Sequence, residues 1–434
     1  MGTTLVREKL AARSITARYS LFLGLGMVLA VVGAALFLVF TRGEKADRAW
    51  HLFLVNWVFF TGLTGGSFAF VAVQKVTRAK WSGVIIRFAE AAPFCFFPVS
   101  LVGLLLIFTI GYPHIFPEMH GLGHGKEVWL SHGFMFGRLL LGLTVLYGLG
   151  FQLVKADLIP DLHEVKGAVT GRRHALYERW SRGFDASPDG RARHEARIAR
   201  LAPAYVVVYA LVFTMVAFDT VMALQPHWFS NLFGGWYFMG SFLGAHTLLA
   251  LMMLYGRHQV GIAEFISPKQ RHDLGKLCFG FTVFWTYLMW SQFLVIWYGN
   301  LPEETGFVFA RLWGEWRPIG SLVFLGMFVI PFIGLLGVAP KKTPFTLGLF
   351  TAISLCSLWL ERYLLVLPSV TKEAGPVFGL PELGPTALFA GLFLLAYGQF
   401  ARTFPMVSPR LAEITLDQER GHGHGDITGE SKHA

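Results

Sequence analysis

The chain has 434 residues, of which 54% belong to the AVILMFWYC set and 15% are Asp, Glu, Lys or Arg, with a mean hydropathy of +0.52 and a formal net charge of +10. A soluble domain carries about 25% charged residues, so a water-soluble enzyme, a disordered scaffold and a disulfide-stapled secreted module are excluded. In so apolar a chain the distribution of basic charge carries more meaning than its total, and it argues for topology rather than nucleic-acid binding.

A bilayer core is crossed by roughly 20 mostly apolar residues. Ten such stretches follow in chain order, at 20–41, 50–74, 88–112, 128–154, 203–225, 235–256, 276–298, 318–338, 344–366 and 383–403. The first is too long for a signal peptide and lacks a small-residue cleavage site, so it reads as a span. The expected fold class is an all-α membrane protein of about ten transmembrane helices. Its segments are an N-terminus (1–19), spans one to four (20–154), a basic loop (155–202) with a helical pattern near 188–200, spans five to ten (203–403), and a tail (404–434) containing His422 and His424.

Of the 37 Lys and Arg, 28 fall in the two ends and the connections after even-numbered spans, Arg87 among them, against 7 in the opposite set. The positive-inside rule then puts both termini in the cytoplasm. Arg138 and Arg362 lie inside spans.

Cys95, Cys278 and Cys356 are isolated within spans three, seven and nine and read as buried thiols. No CxxCH and no Cys cluster is present, so the sequence offers no attachment for c-type haem and no iron–sulfur ligand set. Only His246 lies deep in a span, with His132 opening span four near the outer face, which leaves no bis-His pair for a b-type haem. No Walker A loop occurs. Catalytic, cofactor-binding and metal-ligating residues are accordingly expected to be none.

Ionisable groups inside a membrane cost ~2.5–3.5 kcal/mol each at a helix centre and mark function by default. Six stand out: Glu90 near the inner face, Arg138 and His246 near the midplane, and Asp219, Glu361 and Arg362 in the outer third. Tyr287 and Ser291, one turn apart on span seven, extend the set beside Gln292. Stepped titratable and hydroxyl groups are what a proton path needs, so Asp219, His246, Arg138, Glu90, Tyr287, Ser291, Glu361 and Arg362 are proton-path candidates. His132, Asp219 and Glu361 are quinone-binding candidates. The competing reading makes the charged residues interhelical clamps, Arg138 neutralising a buried carboxylate. Gly62 and Gly66 in GLTGGSF share a helix face suited to close helix packing.

Residues 265–317 carry the most distinctive strings, HDLGKL at the entry to span seven, FWTYLMWSQ in its core and IWYGNLPEE at its exit. With HLFLVNWVFFTGLTGGSFAF in span two, RFAEAAPF opening span three and YLLVLPS closing span nine, the chain resembles the NrfD/polysulfide-reductase membrane-subunit family. It is most like the second such subunit of bacterial alternative complex III, a quinol:electron-acceptor oxidoreductase. The resemblance implies two four-helix bundles, spans two to five and six to nine, flanked by spans one and ten. It also implies a multihaem cytochrome c, an iron–sulfur protein and a second NrfD-like subunit as partners. These would hold the c-type haems and iron–sulfur clusters, with none on this chain and quinone as the small molecule concerned. Members that resemble the quinol-oxidising subunit carry His in span two where this chain has Gly65.

The leading expectation is therefore an integral subunit of a bacterial inner-membrane quinol:cytochrome c-type oxidoreductase, non-catalytic itself, that anchors partners and conducts protons among surrounding lipids. The alternatives are the quinol-binding subunit itself and an autonomous secondary transporter. Glu303 and Glu304 of NLPEE, and the 113–127 loop with His114, Glu118, His120 and His124, are expected to dock partners.

Overall fold

The computed structural model describes residues 3–16, 19–117, 124–371 and 375–428. Within them the regular elements are helices, and ten are long and apolar enough to cross a membrane. Span one is Ser20–Thr41, span two Ala46–Val76, span three Ile86–Ile115, span four His132–Ala168 and span five Pro188–Leu224. Span six is Phe233–Gln259, span seven Pro268–Gly299, span eight Gly314–Gly334, span nine Pro344–Val370 and span ten Leu380–Thr403. The chain is an all-α, multi-pass membrane protein.

Spans two to five pack into one four-helix bundle and spans six to nine into another, joined where spans two, five, six and nine meet. Span two is apolar nearly all round, and its membrane-crossing window is entirely buried. That pattern is the mark of a central helix rather than an amphipathic one. Gly66 lets it approach span six: a Cβ there would stand 2.6 Å from the Ser241 carbonyl oxygen. Spans one and ten form a flanking pair against spans two and three. Their crossing depends on Gly33 and Gly391, since a Cβ at Gly33 would lie 2.2 Å from the Leu388 amide nitrogen.

Segment 155–202 is helical well beyond the pattern expected near 188–200. Span four stays helical through Val165, a short helix covers Gly171–Ser181, and span five already begins at Pro188. Ser187 caps that start by accepting a hydrogen bond from the Gly190 amide at 3.1 Å, with Pro188 at the first helical position. At 37 residues each, spans four and five are about 55 Å long, so both project beyond the ~30 Å hydrocarbon core.

The tail packs against the N-terminal segment. Residues 404–408 are buried, and a helix runs Pro409–Thr428 against the N-terminal helix Thr3–Ser14. The two terminal helices therefore share one face of the molecule. Thr415 donates to the Lys80 carbonyl and accepts from the Gly83 amide, and the Met406 amide donates to the Ser14 carbonyl at 3.0 Å. Glu118, His120 and the side chains of His124, His422 and His424 lie outside the described residues.

Candidate functional site

Polar groups occupy three levels of the first bundle. Nearest the face that carries the chain ends, Arg87 of span three is fully buried and reaches Glu90 on its own helix and Asp157 and Asp161 on span four. Lys75 donates to Asp157 at 2.6 Å, Arg410 of the tail stands 3.5 Å from the same carboxylate, and Ser408 donates to Asp161 at 2.9 Å. Three carboxylates thus face three cations, which is how a buried ionic cluster avoids an uncompensated charge. A cavity of about 510 Å³ beside it is lined by Gln74, Lys75, Ser82, Asp157 and Arg410. By sequence only Glu90 of this cluster falls within a span, with Arg87 at the edge of a connection, whereas the helix already includes Arg87. Its pairing with the carboxylates of Asp157 and Asp161 and its hydrogen bond to the Asp157 carbonyl hold it buried.

The middle level is neutral. The Tyr147 hydroxyl of span four lies 2.8 Å from that of Thr64 and 2.9 Å from that of Ser100, which accepts from Thr61 at 3.2 Å. All four are buried, so spans two, three and four share one hydroxyl chain. None of its members was among the expected site residues. Hydroxyls scattered through apolar spans have no spacing signature that announces a shared centre.

At the opposite end Arg138 clamps Asp219, with Nε donating to Oδ2 at 2.7 Å and Nη2 to Oδ1 at 2.5 Å. Its Nη1 donates to the Trp129 carbonyl at 2.7 Å, and the guanidinium lies over the Trp129 ring. Arg138 is the counter-charge of a buried carboxylate, as expected, but not at the midplane. Span four begins at His132, so Arg138 sits in its second turn, level with the last turn of span five. His132 donates through Nε2 to the Phe108 carbonyl at 2.6 Å and tilts against Tyr112. That carbonyl belongs to a π-helical stretch, Ile107–Gly111, whose wider turn gives such a donor access.

In the second bundle Glu361 and Arg362 of span nine are both buried, with Arg362 Nη1 2.8 Å from Glu361 Oε2. Arg362 turns toward span six, donating to the Tyr237 carbonyl at 3.1 Å and the Ser241 hydroxyl at 3.2 Å, and lies over the Tyr237 ring. The Glu361 carboxylate is thus paired with Arg362, and the Trp285 indole N–H also faces it. A cavity of about 290 Å³ opens beside this carboxylate, lined also by Trp236, Trp285, Phe293, Arg311 and Leu364.

Other expected members stand apart. His246 is walled in by Phe70, Phe242 and Phe281, and its Nδ1 bonds the Phe242 carbonyl of its own helix at 2.7 Å. Tyr287 is 61% exposed on the outside of span seven, so it does not join a path through the bundle. Ser291, a turn away, is partly exposed at the rim, while Gln292 faces inward and accepts from Ser230 at 3.1 Å. Glu303 and Glu304 occupy the first turn of the surface helix Pro302–Leu312, where acidic side chains favour the helix N-terminus. His114 pairs with Asp47 at 2.7 Å. Cys278 is buried as expected, Cys95 is partly so, and Cys356 is exposed, so the last is no core thiol.

Arg311 was not singled out by sequence. It is buried, donating to the Phe307 and Leu365 carbonyls and to Ser369 at 2.5 Å, and it makes no ion pair among the described residues. Burial without a neighbouring carboxylate pulls its pKa well below the ordinary arginine range, yet a guanidinium so basic to begin with keeps its charge.

No family model and no curated protein matches this chain in the comparisons made.

Proposed function

We propose that the chain is an integral subunit of a bacterial inner-membrane quinol:electron-acceptor oxidoreductase of the cytochrome c type, with its termini in the cytoplasm. In this reading it holds its redox partners and conducts protons, and carries no redox centre of its own. The family resemblance in residues 265–317 supports the class of complex, and the one-sided distribution of basic residues supports the orientation.

The observation that carries the proton reading is the Tyr147 hydroxyl chain lying between two ionic sites of the same bundle. Along span four, Arg138 and Tyr147 are separated by about 13 Å and Tyr147 and Asp157 by about 15 Å, from the helical rise. Protons cross such gaps only along hydrogen bonds and intervening water. The cavity beside Asp157 supplies an aqueous approach at one end, and Asp219 a titratable group at the other. Haems and iron–sulfur clusters then belong to a multihaem cytochrome c and an iron–sulfur protein, held beside a second NrfD-like subunit. The exposed aromatic side of span seven, with Tyr287, Trp290 and Trp297, suits a neighbouring membrane helix.

Purification of the tagged chain in mild detergent tests the assignment. A c-type haem protein, an iron–sulfur protein and a second polytopic subunit are expected to co-elute. Elution without them overturns it.

A further inference from the structure

Where the first bundle meets the tail helix, the cavity beside Asp157 carries more positive charge than the ionic cluster needs. Asp157 is matched inside that cluster by Lys75, Arg87 and Arg410. Beyond the cluster, Arg78 and Lys80 of the connection after span two line the cavity, against the single carboxylate of Glu195 on span five. Neither Arg78 nor Lys80 makes an ion pair among the described residues.

Buried hydrogen-bonding capacity lines the same space. Gln74 is 6% exposed, and its Oε1 has no partner among the described residues. The Arg410 Nε–H is likewise buried without an acceptor. A carboxamide can present either its oxygen or its N–H₂ group, so both side chains can donate to one anion.

Arg78 is also unusual in its backbone. It closes span two in the left-handed region, φ 50°, with its own amide donating to the Lys75 carbonyl at 3.3 Å and the Ala79 amide donating to the Gln74 carbonyl at 2.9 Å. Helix ends of this kind normally place glycine there, which has no Cβ to strain. An arginine strains the turn and keeps a guanidinium at the cavity wall.

We propose that this cavity binds a phosphate group, whose oxygens accept from Arg78, Lys80, Arg410 and Gln74. Guanidinium and ammonium donors drawn from separate elements suit a tetrahedral phosphate better than a planar carboxylate, which one guanidinium satisfies alone. Two sources carry that group: the headgroup of an anionic phospholipid, which basic clusters at the ends of spans recruit, and the free phosphate ion. The ligand bridges the end of span two and, through Arg410, the tail helix, so occupancy holds the tail in place. A phosphate fills only part of about 510 Å³, so water still reaches Asp157. The site goes beyond the proposed function and does not depend on it.

The test uses the purified full chain in phosphatidylcholine nanodiscs, reading melting temperature and protease cleavage of the tail helix. Phosphatidylglycerol is added to the nanodiscs in one arm and inorganic phosphate to the buffer in another, with oleate as an anion that lacks phosphate. A saturable rise in melting temperature and slower tail cleavage are expected. A response to phosphatidylglycerol alone assigns the lipid headgroup, and a response to inorganic phosphate assigns the free ion. Arg78→Gly is expected to weaken binding about tenfold while melting no lower than the wild type in phosphatidylcholine alone, because glycine suits the turn. Lys80→Gln, a change confined to an exposed side chain, is expected to weaken binding as well. No response of the wild type in either phosphate arm would overturn the site. So would an equal response to oleate, or wild-type binding by both variants.

Discussion

Asp219 and Arg138, 81 positions apart in sequence, meet through two parallel hydrogen bonds that join the last turn of span five to the second turn of span four. Asp219 is fully buried, whereas Arg138 retains slight exposure. Removing one partner of such a pair leaves the other charge desolvated, which costs about 3–5 kcal/mol, while replacing both by apolar residues of similar size is often neutral. Asp219→Leu alone should therefore lower the melting temperature markedly. The Arg138→Met/Asp219→Leu pair should recover most of the loss, and thermal melting of the three purified proteins checks it.

Tyr147 is the hub of the hydroxyl chain. Tyr147→Phe removes one oxygen and leaves Thr64 and Ser100 each short of a partner, a cost of about 1–3 kcal/mol. The fold should survive, and chemical denaturation read by tryptophan fluorescence should show a modest drop.

How far these sites were legible differs by kind. The spans were, because runs of apolar residues declare themselves locally, and the close approach of span two to span six was foreshadowed by Gly62 and Gly66. The extents of spans four and five were not. Residues 155–165 are charged enough to look like loop, and the helical pattern near 188–200 does not by itself show that the helix runs unbroken from the cap at Ser187-Pro188 into span five. Arg87 looks like a connecting residue because two of its three carboxylate partners are distant in sequence. The i, i+4 spacing of Asp157 and Asp161 on one helix face was the available hint that a cation would meet them. Glu361 and Arg362 read as a neighbouring ion pair, which they are, but no local pattern shows that Arg362 also reaches span six while the Glu361 oxygens border a cavity.

The flanking pair of spans one and ten depends on the absence of side chains at its crossing. Gly33→Leu would drive its side chain into the backbone of Leu388 and Gly384. Overpacking of this kind costs typically 1–3 kcal/mol and more where backbone must move. The variant should be more readily cleaved by protease in the span-ten connections, measured by limited proteolysis.

The N-terminal helix is held differently. Arg7 bonds Glu164 at 2.7 Å and Glu413 at 3.0 Å, which raises its pKa, but all three side chains remain partly exposed. Exposed pairs contribute about 0–1 kcal/mol each. Arg7→Ala should leave global melting nearly unchanged and increase amide exchange in residues 3–16.

On span seven, Tyr287, Trp290 and Trp297 expose their rings on one side of the helix and add little to the chain's own core. Tyr287→Ala with Trp290→Ala should leave the melting temperature of the isolated chain unchanged and reduce the recovery of the adjoining membrane subunit severalfold in co-purification.

The most direct test of the proton route is the number of protons translocated per electron by the assembled complex in sealed vesicles, comparing wild type with Tyr147→Phe and Asp219→Asn. The account predicts a lower ratio in both variants with haem content and subunit composition intact. An unchanged ratio in fully assembled complexes would contradict it and leave these residues as structural clamps.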